Sequence, residues 1–458
     1  MISAQKAFAQ YIDLYKDSVA HVSVSPMLTA LNRSALAALE KAMQTFRPDP
    51  MGVAEVSAPE MFAPDYGVNI LGVRLPVDAA SSFRCGVPRL NSLLAVVAND
   101  GYYPTQNTAS DLPEGLTVCS LRDVPADISV RVSEALSRNL ADGGPACALN
   151  SLFLHDGVLV YARRGVKVDK AIQIVNITSV AMPVLNIRRV VVIAEDDADI
   201  KVLLCDHSQA AGVQTLDSEV VTVEVGEGAR VELYDIEETL PQSRRYWQLF
   251  GRQASRSHLS VGSFALHGGR SRNEYRIDVE GDYARTELSG LSICTVDRIV
   301  DNDVRLTHAG SHCTSRQLFK NALFENSKGG FAGKIVVKHG AMFTDAEQTN
   351  RNIVDGESAR MITAPQLEIY CDEVKCSHGA TTGQLDERAM FYMQARGIPA
   401  DEARRMLTQA FMVDVIGSIT FEVLRQRLHL LVEKRLSGTA AGCDTCVTAC
   451  HSDLQEPV

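Results

Sequence analysis

The sequence lacks the long apolar run that a membrane-spanning helix requires. No stretch of roughly 18 consecutive apolar residues occurs in the 458-residue chain. Its first residues, Met1 to Lys6, also lack the apolar centre of a secretion signal. We therefore expect a cytoplasmic protein without a membrane partner.

The chain also lacks an excess of basic residues, and its cysteines are not spaced like those of a disulfide framework. The chain has 45 Lys and Arg against 56 Asp and Glu, a net charge of -11, which argues against nucleic acid as a partner because phosphate contacts need clustered basic residues. The eleven cysteines, an odd number, are mostly dispersed singly on strand-like segments. This pattern favours a reducing compartment over a disulfide framework.

The length exceeds the usual size of a single hydrophobic core, so several domains are expected. Residues 1–47 have helical spacing of apolar residues and end at Arg47-Pro-Asp-Pro50, and residues 51–150 are mixed and rich in Pro and Gly. We predict an N-terminal helical and mixed domain over 1–150.

A short sequence pattern recurs from about residue 151 onward. Turn-like residues precede an alanine, and alternating apolar positions follow it, at intervals of 25 to 31 residues for the first five copies. The alanines are Ala171, Ala198, Ala229, Ala254 and Ala284, with further copies at Ala341 and Ala359. This pattern is typical of a β-solenoid, in which neighbouring coils bury each other's apolar faces. A β-sandwich built from hairpins remains the alternative on the pattern alone.

The pattern changes from strand to helix near residue 385. Leu367, Ile369 and Cys371 alternate with polar residues, whereas Phe421, Leu424 and Leu428 follow helical spacing. We predict helices over 385–436. One interpretation is a helical cap over the open end of the solenoid, which solenoids require.

The junction between these regions carries a long linear motif. It reads Cys376-Ser-His378-Gly-Ala-Thr, Gly383-Gln-Leu-Asp-Glu and Phe391-Tyr-Met-Gln-Ala-Arg-Gly-Ile398, preceded by Gln348-Thr-Asn-Arg-Asn352 and Pro365-Gln-Leu-Glu-Ile369. The motif closely resembles the SufD members of the SufB/SufD family, which serve the SUF system of iron–sulfur cluster assembly. With weaker patterning the resemblance covers about residues 150–436.

The resemblance implies a fold and a set of partners. It implies a right-handed parallel β-helix core over 151–384 that pairs with a SufB-like subunit, and a homodimer through the same edge when SufB is absent. It also implies that the helical domain over 385–436 docks the ATPase SufC, whose ATP hydrolysis would expose the SufB–SufD interface. The approximate docking residues are Phe391, Tyr392, Arg396, Phe411 and Phe421.

His378 and Cys376 are the candidate cluster-assembly residues at that interface. An imidazole can bind iron or relay a proton, and Cys376 would lie on the same face of the same strand. A structural histidine and a small buried cysteine are the alternatives. SufB proteins have a sulfur-accepting cysteine where this chain has Ala359, and a glutamate where it has Gly379. The resemblance is therefore to SufD, not to SufB. It implies a non-catalytic subunit that has no firmly bound cofactor. A transient iron–sulfur cluster is expected only in the complex with SufB.

Two further groups of residues have metal-ligand character. The predicted flexible tail, 437–458, contains Cys443, Cys446, Cys450 and His451, which match zinc or iron–sulfur ligand types or are simply exposed thiols. His308, His312 and Cys313 lie close together on a solenoid segment, where the two histidines would share a strand face.

Two other functions are alternatives to the scaffold hypothesis. A β-helix carbohydrate-active enzyme needs clustered carboxylates on an open groove and usually a secretion signal, and neither is evident. An autonomous metal or electron-transfer protein would use the tail cysteines and would carry a stable chromophore.

Overall fold

The computed structural model describes residues 3–18, 25–47, 52–73, 92–105 and 112–438. The helices in this part of the chain are α1 (Ala4–Ser18), α2 (Pro26–Thr45), α3 (Ala58–Phe62), α4 (Ser129–Arg138), α5 (Gly144–Leu152), α6 (Glu387–Ala395), α7 (Ala400–Gly417) and α8 (Glu422–Leu436). The first ten strands are β1 (Gly67–Val68), β2 (Leu93–Ala98), β3 (Gly101–Pro104), β4 (Leu116–Ser120), β5 (Val158–Ala162), β6 (Ile172–Thr178), β7 (Val184–Ala194), β8 (Asp199–Ser208), β9 (Thr215–Val225) and β10 (Arg230–Glu238). The remaining ten are β11 (Ser243–Gln253), β12 (His258–His267), β13 (Arg270–Val279), β14 (Arg285–Cys294), β15 (Ile299–His308), β16 (Thr314–Phe324), β17 (Lys328–Val337), β18 (Asp345–Asp355), β19 (Arg360–Ile369) and β20 (Lys375–Gly383).

Strands β5 to β20 form a β-solenoid of eight coils with two strands in each coil. Odd-numbered strands stack in one sheet, even-numbered strands stack in the other, and each pairs in parallel with the strand of the same sheet in the next coil. Parallel strands cannot be joined by tight hairpins. The solenoid predicted from the repeat is confirmed, and the hairpin sandwich is wrong.

A left-handed backbone conformation recurs at the corner before each even-numbered strand from β8 to β18. Positive φ angles occur in successive coils at Asp197, Gly228, Arg256, Tyr283, His312 and Phe343. The amides point along the solenoid axis: that of Tyr283 donates to the Ser311 carbonyl at 2.9 Å, and that of His312 to the Met342 carbonyl at 2.7 Å. The corner hydrogen bonds therefore link each coil to the next.

The repeated alanine marks this corner in only some coils. Ala198, Ala229 and Ala284 directly precede β8, β10 and β14 and are at most 1% exposed. At β12 and β18 the same place is held by Ser257 and Thr344, three residues after the alanines identified in the sequence. Ala359 belongs to the opposite corner, before β19. The corner requires a small buried residue, which need not be alanine. The repeat of alanines in the sequence is therefore offset from the structural repeat at β12 and β18.

The solenoid interior is filled by inward side chains that stack along its axis. The rings of Trp247, Tyr275, Phe319 and Phe331 form a chain with centroid separations of 5.1 to 5.8 Å. Gly290 lies opposite Phe319 on the adjacent strand, and a Cβ there would lie 2.2 Å from the Phe319 ring. The missing side chain of Gly290 is what accommodates the ring.

The N-terminal helices pack on the outer face of the odd-numbered sheet. The segment predicted as helical over 1–47 forms two helices, α1 and α2, and Ser25 caps α2 through its hydroxyl. Phe8, Leu28 and Phe153 are buried in one cluster with Ile187 and Tyr246 of β7 and β11. The N-terminal region is thus attached to the solenoid by a continuous apolar interface.

The C-terminal helices α7 and α8 pack along the flank of the solenoid, not over its end. Met412, Ile416 and Leu424 of α7 and α8 lie in one apolar cluster with Tyr234 and Phe264, which face outward from the even-numbered sheet. The cap interpretation is therefore wrong. The apolar faces of this helix pair are buried against outward-facing residues of the even-numbered sheet instead. None of the helices among the described residues combines the length and apolar character needed to cross a bilayer.

We predict that Phe319→Ala destabilises the solenoid by about 3–5 kcal/mol, because it removes a fully buried ring and leaves a cavity. Trp247, the only tryptophan, is buried beside Tyr275 in the same ring chain and reports unfolding by fluorescence. Met182→Ala, at a residue 64% exposed, is the control and should change stability by less than about 0.5 kcal/mol. Equal effects of the two substitutions would contradict the packing described here.

Candidate functional site

The last coil presents an uncovered end of the solenoid. Among the described strands, β19 pairs only with β17 and β20 pairs only with β18, so each leaves one edge of backbone N–H and C=O groups unpaired. Apolar side chains are exposed at the same end: Ile369 is 42% exposed and Tyr370 is 52% exposed. An open sheet edge with exposed apolar residues is a template for pairing with another chain.

Cys376 and His378 lie on β20, in this last coil. They are two residues apart and so share one face of the strand. Their partners in register on β18, Ala346 and Gln348, are both buried inside the solenoid. Cys376 is half-buried and packs against an apolar cluster that includes Ile335 and Val337, whereas His378 is exposed. A further coil stacked on β20 would cover the imidazole.

Burial determines the state of the Cys376 thiol. It raises the pKa of the thiol, an effect that the Ala346 backbone only partly offsets. The thiolate, which is the nucleophile and the metal ligand, is therefore disfavoured in this chain on its own. A nearby cation, such as iron, would reverse that preference.

The residue beneath His378 is held by a defined polar contact. Gln348 is fully buried and donates a hydrogen bond from Nε2 to Oε1 of Gln317 at 2.9 Å. A Cβ at Gly333 would lie 2.4 Å from the Gln348 side chain, so Gly333 provides the space for it. A buried and hydrogen-bonded side chain therefore lies directly beneath His378.

The predicted helical docking residues fall into two groups. Phe391 and Tyr392 of α6 are 74% and 60% exposed, and the Arg396 guanidinium lies 5.1 Å from the Tyr392 ring centroid. Phe411 and Phe421 are instead half-buried against the solenoid flank, and the Lys320 ammonium lies 4.8 Å from the Phe411 ring. These two rings attach the helices to the sheet, and their role in docking stays a prediction.

Further exposed apolar residues, which are not among the predicted docking residues, lie on α7 and α8. Met406 and Val413 of α7 are 43% and 47% exposed, and Val423 and Leu430 of α8 are 42% and 50% exposed. Each pair is seven residues apart and so lies on one helix face. The sequence shows this spacing, but the apolar residues that face the sheet have the same spacing. Periodicity alone therefore cannot tell the exposed face from the buried one. A groove of about 330 Å³ between α7 and α8 is lined by Glu402, Arg405, Gln409, Leu430, Glu433, Lys434 and Ser437.

The structure does not bring His308, His312 and Cys313 together as a metal site. His308 ends β15, is buried and lies 3.0 Å from the Ser315 hydroxyl, whereas His312 is in the corner and stacks on Tyr283. The described residues contain no group of three or more His, Cys, Asp or Glu arranged to hold a metal. That hypothesis is wrong, because the corner turn separates the two histidines. Cys443, Cys446, Cys450 and His451 lie outside the described residues.

Comparison with known families identifies the two halves of the chain. Residues 176–411 match the family model of the SufBD core domain, described as SUF system FeS cluster assembly. Residues 5–174 match the model of the SufBD protein N-terminal region. The chain belongs to the SufBD family. This confirms the family resemblance read from the junction motif.

Individual SufBD relatives differ in how much of the chain they match. The iron–sulfur cluster assembly protein SufD of Escherichia coli is 35% identical over 178 residues, which cover 39% of this chain and 42% of that protein. A SufBD family protein of Synechocystis is 26% identical over 371 residues, 79% of this chain and 82% of that protein. The chloroplastic protein ABCI7 of Arabidopsis thaliana is 28% identical over 327 residues, 69% of this chain and 68% of that protein.

We predict that His378→Ala leaves the fold intact, with a stability change below about 0.5 kcal/mol, because the side chain is exposed. Gln348→Ala, directly beneath it, should cost about 1–3 kcal/mol because it strands a buried polar partner. Thermal unfolding of the two variants makes the comparison. A large loss of stability in His378→Ala would make this histidine structural.

Proposed function

We propose that this SufBD protein is a SufD-like, non-catalytic subunit of an iron–sulfur cluster assembly complex. The open end formed by β19 and β20 would pair with a SufB-like subunit, and the outer face of α6 to α8 would dock the ATPase SufC. The observation that carries the proposal is the uncovered last coil, which places the motif residues Cys376 and His378 at an unpaired sheet edge.

The chemistry of the open end favours a partner that is itself a parallel sheet stack. Two adjacent edge strands offer unpaired backbone groups at the spacing of one further coil, and a partner coil would satisfy them in register. The end also exposes Ile362, at 38%, together with Ile369 and Tyr370. Covering these side chains adds apolar burial to the backbone pairing. A second copy of this chain could use the same edge when the SufB-like subunit is absent.

His378 is the residue that would contact the cargo at this junction. Its exposed imidazole can offer a nitrogen lone pair to iron in its neutral form, or carry a proton. Cys376 on the same face would join it only after losing its proton, which burial opposes in the isolated chain. Iron or a cluster is therefore held transiently at the junction, with ligands from both subunits.

The helical surface supports a second, separate docking event. Phe391 and Tyr392 are exposed on α6, and the exposed apolar residues of α7 and α8 lie on helices that pack against the flank of the even-numbered sheet. Aromatic residues of this kind dominate the binding energy of protein interfaces. Two partners can thus bind at once, and movement of the helices by the ATPase would be transmitted through the apolar cluster that joins them to the even-numbered sheet.

The first test is co-purification of the chain with SufB-like and SufC-like partners, followed by anaerobic quantification of iron and sulfide. We expect His378→Ala to retain the complex and to lose most of its cluster content. Ser377→Ala is the matched control, since Ser377 is exposed on the opposite face of β20. Unchanged cluster content in His378→Ala would refute its role, and failure of the wild-type chain to form any complex would refute the scaffold assignment.

The second test separates the docking surfaces. Phe391→Asp should weaken binding of the ATPase by at least tenfold, because it places a charge at an apolar interface, and should leave pairing with the SufB-like subunit unchanged. Val130→Asp introduces the same charge at a residue 70% exposed on α4 and should change neither. Affinities from a titration of each purified partner give the answer. Equal affinity for the ATPase in both variants would remove α6 from the docking surface.

A further inference from the structure

The interior of the early coils contains a sealed group of charged side chains, which we call the inner charge cluster. Its members lie on five consecutive strands, β7 to β11, and each is at most 1% exposed. They are Arg188, Asp206, Asp217, Glu219, Asp235 and Arg245.

The inner charge cluster has more acidic than basic groups. Two guanidinium groups face four carboxyl groups, which would leave two uncompensated negative charges if all four were ionised. A further buried pair, Arg298 and Glu237 at 3.1 Å, is balanced and adds no net charge. Arg189 is buried but faces outward, where it donates to Asn150 and Ser151. An uncompensated charge in a dry interior is costly and is normally removed by protonation.

Three of the four carboxyl groups are well supplied with hydrogen-bond donors. Asp206 accepts from Arg245 Nε at 2.5 Å and from Asn176 at 2.7 Å. Asp235 accepts from Arg245 Nη2 at 2.5 Å and from Ser263 at 3.1 Å. Asp217 accepts from Asn186 at 2.6 Å and Thr178 at 2.8 Å, and lies 3.5 Å from Arg188. These contacts favour the ionised form of each group.

Glu219 is the exception. Its Oε1 accepts a single amide hydrogen bond, from Asn176 at 2.8 Å. Its Oε2 is buried without a hydrogen-bond partner among the described residues and lies 3.6 Å from Arg245 Nη2. Asp206 shares both the Asn176 amide and the Arg245 guanidinium with it. Glu219 therefore has the least support for a negative charge.

We propose that the folded chain binds a proton on Glu219, inside the solenoid, at neutral pH. The charged and titratable groups that face it come from every neighbouring strand: Arg188 of β7, Asp206 of β8, Asp217 of β9, Asp235 of β10 and Arg245 of β11. With this proton bound, two cations face three carboxylates, and the remaining charge is shared through short contacts to Arg245.

The electrostatics of the cluster agree with this assignment. Burial, and then the charge of Asp206, raise the pKa of Glu219 to about 8. Burial also raises the pKa of Asp235, to about 6. Asp206 goes the other way: burial opposes its charge, but Arg245 and Arg188 hold its pKa below the usual value.

The bound proton makes the stability of the solenoid depend on pH. Between the usual glutamate pKa of about 4.5 and the folded value of about 8, the folded chain holds a proton that the unfolded chain has released. Stability from this group is therefore fully present below about pH 4.5, and it falls as pH rises through about 8. Asp206, with its lowered pKa, contributes in the opposite direction and only at acidic pH.

The test compares wild type with Glu219→Gln, which has the shape of the protonated side chain but cannot ionise. We expect similar melting temperatures near pH 5, and a higher melting temperature for the variant near pH 8.5. Unfolding at pH 7 should release about one proton more from wild type than from the variant. Asp206→Asn is the contrast, and should lower the melting temperature throughout neutral pH because it removes an ionised partner of Arg245.

Four outcomes would overturn the proposal. The first two are parallel profiles of melting temperature against pH for wild type and Glu219→Gln, and equal proton release on unfolding of these two proteins. The third is that Asp206→Asn, not Glu219→Gln, shows the expected pattern. The fourth is stabilisation of wild type near pH 8.5 by sodium or potassium but not by tetramethylammonium. The last would assign the compensating charge to a metal cation. If Glu219→Gln fails to fold, infrared spectroscopy of wild type decides: a protonated carboxyl band at neutral pH is expected, and its absence rejects the assignment. None of these measurements depends on the SUF partners.

Discussion

The parallel hydrogen-bond ladder between successive coils is the constraint on which the rest of the structure depends. Every strand from β7 to β18 pairs with a strand on both sides, and the left-handed corner residues continue the same bonds between coils. Because side chains alternate along a strand, a slip of one residue would exchange the inner and outer faces. The ladder therefore decides which residues meet inside the solenoid, which face the helices and which reach the end.

The hydrogen-bond ladder has two ends, and they differ in which strand edges are paired. At the first coil, β4 pairs antiparallel with β5, and β2 pairs with β6 and carries β3 on its other edge. At the last coil, β19 and β20 keep their outer edges unpaired among the described strands, and the C-terminal helices pack on the flank. The proposed partner surface is this open end, because a further parallel coil could continue the same hydrogen-bond ladder there.

The interior of the solenoid is not uniformly apolar. Aromatic rings from Trp247 to Phe331 fill one part of it, and Arg188, Arg245 and their carboxyl partners fill another. A buried ionic group adds little net stability compared with apolar packing, but a mispaired one is strongly unfavourable. The charged contacts between β7 and β11 therefore favour the correct order and register of these coils over alternatives that apolar packing alone would tolerate.

The sequence by itself determined the class of fold, the family and the motif strand, because these are recorded in short patterns: small residues near the corners, alternation along strands and the run around His378. It could not determine the register of the corners, since Ser257 and Thr344 serve there as well as alanine. Nor could it show that Phe411 and Phe421 face the sheet while Phe391 faces solvent, because both helix faces carry apolar residues. Only the tertiary structure separated His308 from His312 and brought Arg188 and Arg245 to one cluster of carboxyl groups. Those contacts join residues tens of positions apart in sequence, and the stacking of whole coils, not any local pattern, decides them.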